Sequence, residues 1–157
     1  MKGDDIAIRL LDLAIASLEL ATKIEHTPAG KHIARQLIRC ATSAGANYEE
    51  ARSAESPADF VHKVSIAAKE AGETAWWLRI IERARLAPSV ETSRWVREAR
   101  ELVAILTASA RTARKKTGAA ADGRRSGAQC SSPVAIAVAV DGSSEPEGEP
   151  AGKVHTL

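Results

Sequence analysis

Carboxylates and histidines are the residues of this sequence that could hold a metal or move protons. Glu49 and Glu50 precede His62, and Glu70 and Glu73 follow it, within segments of helical periodicity. A di-metal site in a helical bundle uses a Glu-x-x-His pair on each of two helices and a glutamate from each of the others. The sequence contains no Glu-x-x-His. We therefore expect no metal site and no cofactor.

Nucleophilic catalysis and phosphate-loop chemistry are not indicated either. Ser43 and Ser65 do not belong to an arrangement of nucleophile, base and orienting acid. The sequence has no glycine-rich phosphate loop. Cys40 and Cys130 show no metal-ligand spacing and no disulfide framework, and Cys40 fits a small buried apolar residue of a helix. We predict a non-enzymatic protein without catalytic residues.

The composition favours one helical domain. The chain has 157 residues, 45% of them hydrophobic but only 3% aromatic, so alanine and leucine, both strong helix formers, dominate the apolar mass. Arg9 and Asp12 interrupt the first apolar stretch, which is therefore unlike a signal peptide. No apolar run reaches the ~18 residues of a membrane span. We expect a cytoplasmic protein without a membrane partner.

Heptad-spaced apolar residues predict four helices, at about 4–26, 28–54, 57–86 and 90–116. Thr27 and Ser56 are placed to cap the second and third helices, each with a proline at the first helical position. Connections this short make consecutive helices antiparallel neighbours. The predicted fold is all-α: an antiparallel up-down-up-down four-helix bundle over residues 1–117, with a disordered C-terminal tail over 118–157.

The first predicted helix is apolar on two faces. One heptad stripe, from Ile6 to Ile24, would serve the core of the bundle. At about 100° per residue the second stripe points to nearly the opposite side, and it needs a burial partner of its own. Another copy of the chain is the simplest partner, and an exposed tryptophan is useful at such a boundary. The candidate interface for a homo-oligomer comprises Ile8, Leu11, Ile15, Leu18 and Trp76.

Polar residues at heptad spacing flank the apolar face of the second helix. Arg39 belongs to this stripe, and two glutamates of the antiparallel third helix could face it. The arginine fork can meet a carboxylate with two hydrogen bonds, so we predict a structural polar network that sets helix register. A ligand pocket and a nucleic-acid contact are the alternatives. The residues of the predicted network are Gln36, Arg39, Ser43, Asn47, Glu50, Glu70 and Glu73.

The same segments resemble a known family. Residues Gln36–Ala51 are similar to the Q-x-x-R-x-A-x-S-x-x-x-N-x-x-E pattern of bacterial four-helix-bundle proteins related to the 23S rRNA intervening-sequence proteins. Asp59–Ile66, Lys69–Thr74 and Trp77–Arg79 continue the resemblance, which covers roughly residues 10–87. It implies an up-down bundle that assembles into a ring, usually a pentamer, with no known enzymatic activity. One branch, the accessory proteins of diversity-generating retroelements, uses a basic surface to hold nucleic acid and a reverse transcriptase.

Charge is distributed unevenly along the chain. Residues 1–118 hold 19 lysines and arginines against 15 acidic residues, whereas residues 119–157 hold 3 against 5. A five-membered ring would carry about +20 on its folded bodies, which attracts phosphates with little sequence selectivity. The alternative is that these basic residues simply form solvent-exposed helix faces without a binding role. The candidate nucleic-acid contacts are Lys31, Arg35, Arg97, Arg111, Arg114, Lys115 and Lys116.

Two functions remain open from the sequence. The first is a non-enzymatic homo-oligomeric scaffold that binds RNA or DNA electrostatically through a basic ring surface. The alternative is a protein-binding adaptor that recruits a partner through its tail or outer face, without nucleic acid. In that case the apolar run Val134–Val140 is a candidate strand for pairing with a partner edge, although such a run is also typical of an aggregation-prone extension.

Overall fold

Four α-helices make up the described part of the computed structural model of the protein. The structure describes the backbone of residues 3–126 and the side chains of residues 3–116. The predicted all-α, four-helix fold is confirmed. The helices are α1 (Asp4–Ile24), α2 (Pro28–Arg52), α3 (Pro57–Arg83) and α4 (Ser89–Ser126).

Helix starts follow from capping chemistry. The Thr27 hydroxyl accepts a hydrogen bond from the Gly30 N–H at 3.0 Å, and the Ser56 hydroxyl accepts one from the Asp59 N–H at 3.1 Å. Each cap satisfies an amide that has no partner within its own helix, and the following proline has a φ suited to the first turn. The predicted starts of α2 and α3 are therefore found where expected.

Helix ends depart from prediction, above all in α4. The first three helices end two or three residues earlier than predicted, but α4 runs to Ser126, ten residues beyond the predicted end at 116. Residues 118–126, predicted to be disordered, are thus helical. Gly118 costs only about 1 kcal/mol inside a helix, and the alanines at 119–121 have the highest helix propensity. The rest of the predicted tail, with Cys130 and Val134–Val140, lies outside the described residues.

The helices pack in sequence, each against the next, and α4 returns to α1. The α1–α4 pair shares the smallest contact of the four, and over the described residues α1 does not touch α3. In every neighbouring pair, residues early in one helix meet residues late in the other, so neighbours are antiparallel. These contacts join Asp4 to Arg52, Arg39 to Glu73, Lys63 to Glu50, Glu82 to Ser93, Ser65 to Arg114, Arg9 to Glu101 and Lys23 to Glu91.

The core is built mainly of leucine and alanine. On α1 the predicted core stripe is buried from Leu10 to Ile24, and Leu37, Leu78 and Leu102 are fully buried on the other helices. Small alanines between the leucines let helix backbones approach closely. The buried hydroxyl of Ser17 donates to the Leu13 carbonyl at 2.7 Å, so it brings no unsatisfied polar group into the core.

The C-terminus of α3 ends in a strained residue. Arg85 has φ 55°, in the left-handed region where glycine is normally found. The Leu86 N–H donates to the Ile81 carbonyl at 3.0 Å and the Arg85 N–H to the Glu82 carbonyl at 3.1 Å, which is the Schellman pattern of helix termination. Arg85 thus occupies the position that usually carries glycine.

Replacing Arg85 with glycine should stabilise the protein. The substitution removes the steric cost of a left-handed arginine, and we expect the free energy of unfolding to rise by roughly 0.5–1 kcal/mol. Arg83→Gly, placed inside the last turn of α3, is the matched control and should lower it by about as much. Chemical denaturation measures both variants, and a loss of stability in Arg85→Gly would contradict the assignment of strain.

Candidate interaction surfaces

Arg39 joins α2 to α3 on the outer side of their seam. Its Nη2 donates to Glu73 at 2.6 Å, its Nη1 to Glu70 at 3.5 Å, and its Nε to the Gln36 side chain at 3.3 Å. The hydrogen bond to Glu73, followed by the charge of Glu70, raises the pKa of Arg39. The Arg39 side chain remains 50% exposed, so this cluster guides register with little effect on stability.

The other residues of the predicted polar network do not join this cluster. The Asn47 side chain donates to the Ser43 carbonyl at 2.9 Å within α2, and Glu50 pairs with Lys63 of α3. The stripe therefore forms two separate cross-helix contacts and two hydrogen bonds within α2. Sequence reasoning missed Lys63, although an antiparallel register centred on Arg39 and Glu73 places position 63 near position 50.

Two further seams are also closed by ion pairs. Between α1 and α4, Arg9 donates to Glu98 at 2.6 Å and to Glu101 at 2.8 Å, and Lys23 meets Glu91 at 2.9 Å. These pairs span the helix pair that packs least closely of the four. Between α1 and α2, Arg52 pairs with Asp4 and, within its own helix, with Glu49. On three of the four seams, cations thus meet carboxylates from the facing helix.

The α3–α4 seam differs. At one end the Ser93 hydroxyl donates to Glu82, but at the other end the Arg114 Nη2 donates, among the described side chains, only to the hydroxyl of Ser65, at 3.0 Å. A groove of about 320 Å³ lies there, and no carboxylate of residues 3–116 lines it. We call it the basic groove. Its lining residues are Ser65, Ala68, Lys69, Thr107, Ala110, Arg111 and Arg114.

The predicted nucleic-acid contacts are exposed but lie on more than one face. Arg111 and Arg114 line the basic groove, whereas Lys31 and Arg35 lie at the start of α2. Within residues 3–116, none of the predicted contacts makes an ion pair with a carboxylate. Lys69, which sequence reasoning did not select, joins Arg111 and Arg114 only through the packing of α3 on α4.

The second apolar stripe of α1 remains exposed. Ile8 and Leu11 are each 58% exposed and Ile15 and Leu18 each 45%, although the first stripe of the same helix is buried. Beside the stripe, a groove of about 730 Å³ runs between α1 and α2. Several residues that line it are small, and a Cβ added at Gly45 would meet nothing within 4 Å. We call this surface the apolar groove; it is lined by Ala7, Ile8, Leu10, Leu11, Ala14, Thr42, Gly45 and Ala46, and by Asp4 and Glu49 with Arg52, which forms ion pairs with both.

A second apolar patch lies on α3. Trp76 is 57% exposed, and its neighbour Trp77 is half-buried, with its ring 5.9 Å from that of His32 on α2. The two adjacent rings thus point in different directions, as about 100° per residue requires. Trp76 borders a shallow hollow with Ile80 and with Arg79 and Arg83. We call this surface the Trp76 patch.

Chemistry at other polar residues is limited by their hydrogen bonds. Ser65, one turn after His62 on α3, donates to the Val61 carbonyl at 2.6 Å. Among residues 3–116, no group of three or more His, Cys, Asp or Glu side chains is arranged to hold a metal ion.

None of the helices, over their described residues, combines the length and hydropathy needed to cross a membrane.

The four-helix architecture and these surfaces describe a helical bundle whose prominent features suit contacts with other molecules. The sequence profile of the 23S rRNA-intervening sequence protein family matches residues 6–108, so the chain belongs to that family. The resemblance noted over Gln36–Ala51 is thereby confirmed.

A solved structure provides a second comparison. It is a protein with unknown function from the S23 ribosomal protein family of Bacteroides thetaiotaomicron, with a TM-score of 0.61 and 29% sequence identity. The match covers 66% of this chain and 95% of that chain. A comparison with curated proteins found no match. The bundle is therefore shared with a protein whose function is itself unknown.

Cys40 is buried, as predicted, and its thiol donates to the Leu37 carbonyl at 3.4 Å. Burial is the largest cause that raises the pKa of the Cys40 thiol, so its reactive thiolate is depleted at neutral pH. In a Cys130→Ser variant, which leaves Cys40 as the single thiol, we expect labelling by a disulfide reagent to be about 100-fold or more slower than in denaturant, because labelling requires local opening. Equal rates in both conditions would contradict the burial of Cys40.

Proposed function

We propose that the protein is a non-enzymatic homo-oligomeric scaffold that assembles through α1 and presents basic surfaces to RNA or DNA. The observation that carries assembly is the exposed second stripe of α1 beside the apolar groove. Soluble proteins rarely expose a contiguous apolar surface without a partner for it. The occupant we propose is the Trp76 patch of a second copy of the chain.

Shape and charge support this occupant. Trp76 and Ile80 would enter a groove that several small residues line, which leaves room for a large ring. Asp12 and Glu19 are exposed beside the α1 stripe, whereas Arg79 and Arg83 border the Trp76 patch. The two surfaces are therefore complementary in sign, which favours their pairing and fixes its register.

Their positions favour a ring. The two surfaces belong to α1 and α3, which lie diagonally across the bundle, and each surface points away from the core. Pairing of two different surfaces is head-to-tail, and a head-to-tail contact closes into a ring when its rotation permits. The family resemblance favours five members.

Electrostatics support the nucleic-acid part of the proposal. The residues that form the bundle carry an excess of cations, and several exposed arginines and lysines have no carboxylate partner within residues 3–116. Assembly would repeat each of these cations around one axis, and concentrated positive charge attracts phosphates without sequence preference. The adaptor alternative relies on the tail, most of which lies outside the described residues, or on the outer face of the bundle.

Filling the apolar groove should prevent assembly without harm to the fold. Gly45→Leu places a side chain in open space, so we expect the bundle to remain folded while its mass by light scattering falls toward that of a monomer. Ala104→Leu is the matched control, because it also enlarges a small residue but lies exposed on α4, outside both surfaces. Unchanged mass for Gly45→Leu, or equal losses in both variants, would refute the proposed interface.

Removing the Trp76 ring should weaken assembly more than folding. A buried tryptophan at the centre of an interface contributes about 2 kcal/mol or more, so Trp76→Ala should raise the dissociation constant of the oligomer about 30-fold. Trp95→Ala is the contrasting variant, because Trp95 packs against the core and its loss should lower the unfolding midpoint. Sedimentation and thermal melts separate the two effects. A Trp76→Ala protein that unfolds yet stays associated would be evidence against this role.

A salt series tests nucleic-acid binding directly. The full chain is titrated against a labelled structured RNA and a DNA duplex, and affinity should fall linearly in log–log form as salt rises. If the oligomer forms but binds neither nucleic acid at low salt, the scaffold survives only as a protein adaptor. Capture of a protein partner that requires residues 119–157 would support that alternative.

A further inference from the structure

The seams of the bundle differ in how their cations are neutralised. On three seams an arginine binds a carboxylate of the facing helix: Arg9 between α1 and α4, Arg39 between α2 and α3, and Arg52 between α1 and α2. In the basic groove between α3 and α4, three cations converge and the facing groups are hydroxyls. Within residues 3–116, the carboxylate that accepts a hydrogen bond across this seam is that of Glu82, which is engaged by Ser93 and lies 17 residues from Ser65, about 25 Å along α3.

The basic groove extends along α4 as a stripe. Arg100, Thr107 and Arg114 are spaced by seven residues and therefore share one face of the helix. The exposed side chains here are those of Lys69, Arg100, Thr107 and Arg111. Within residues 3–116, Lys69, Arg100 and Arg111 have no carboxylate partner. The described residues that line the groove are thus cations, hydroxyl groups and alanines, without a carboxylate.

We infer that the basic groove binds the phosphodiester backbone of a nucleic-acid strand, with Lys69, Arg111 and Arg114 as the phosphate-binding cations. This inference rests on the nucleic-acid part of the proposed function and assigns it to one seam. Phosphate oxygens supply the acceptors that carboxylates supply on the other seams. The arginine fork can bind two oxygens of one phosphate, and the Lys69 ammonium acts as a point charge.

Other basic residues should contribute less to phosphate binding than those of the basic groove. Lys31 and Arg35 are exposed on α2 but do not line the basic groove. A phosphate near them would meet a single helix face, whereas the basic groove surrounds it from two helices. We therefore expect nucleic-acid binding that does not depend on base sequence and in which the cations of the α3–α4 seam contribute most of the affinity. The amino-acid sequence alone does not distinguish the cations of α2 from those of α4.

Placing a carboxylate in the basic groove is the sharpest test. Thr107→Glu introduces, one turn before Arg111, the kind of partner that the other seams already contain, and a Glu–Arg pair at this spacing supports the helix. The full-chain variant should keep its melting temperature and oligomer mass but bind a labelled single-stranded RNA about 10-fold more weakly at moderate salt. Thr112→Glu is the matched control: it makes the same change of charge on the same helix, outside the groove lining, and should weaken binding less than about 3-fold.

Removal of cations gives an independent test. Arg111→Ala with Arg114→Ala should reduce the slope of log affinity against log salt by about 0.7–0.9 for each lost contact of an engaged protomer. Lys31→Ala with Arg35→Ala removes the same charge from α2 and should change the slope little. Circular dichroism and light scattering on every variant identify any protein that has lost its fold or assembly.

The outcomes separate this inference from the proposed function. If the unaltered chain binds no nucleic acid, the nucleic-acid part of the proposed function and this inference both fail. If it binds but Thr107→Glu and Thr112→Glu lose affinity equally, or the α2 pair matters as much as the α4 pair, only the basic groove is overturned. Polyglutamate that displaces the RNA as well as a polyphosphate of equal charge would also overturn it, because the groove would then not distinguish phosphate from carboxylate.

Discussion

The two apolar faces of α1 cannot both reach the core of one bundle. A helix in a four-helix bundle contacts its neighbours over one side, so burial of the stripe from Leu10 to Ile24 leaves Ile8, Leu11, Ile15 and Leu18 in solvent. The rest of the surface is consistent with this constraint. Several small residues line the groove beside the exposed stripe, and an aromatic patch lies on α3, diagonally across the bundle. The proposed assembly follows because α1 has more apolar surface than the core of one bundle can bury.

Ion pairs serve a different purpose from the core. They cross the outer edges of three seams, where solvent reduces their contribution to stability, so their main effect is to select the antiparallel register of neighbouring helices. The carboxylates of these pairs also neutralise the cations that they bind. What remains available to an external polyanion is the set of cations that no helix neighbour faces with a carboxylate, and the α3–α4 seam gathers several of them.

Local rules explain most of what could be predicted about the fold. Caps at Thr27 and Ser56 use interactions within a few residues, and heptad periodicity identifies the buried stripe of each helix, so both can be read from a single sequence. The end of α4 was missed because periodicity stops near Gly118 while helix propensity does not. The left-handed conformation of Arg85 was missed as well, because arginine carries no local signal for it.

By itself, the sequence determined four amphipathic helices, their starts, the family and the surplus apolar stripe of α1. Only the tertiary structure decided which charges are neutralised, because that depends on which carboxylates face each cation across an antiparallel seam. The antiparallel pairing of α2 and α3 already predicts that Arg39 faces Glu70 and Glu73, but the pairing of Glu50 with Lys63 depends on the register in which the two helices pack. Lys69 joins Arg111 and Arg114 for the same reason: residues 42 or more positions apart become neighbours only when α3 packs on α4.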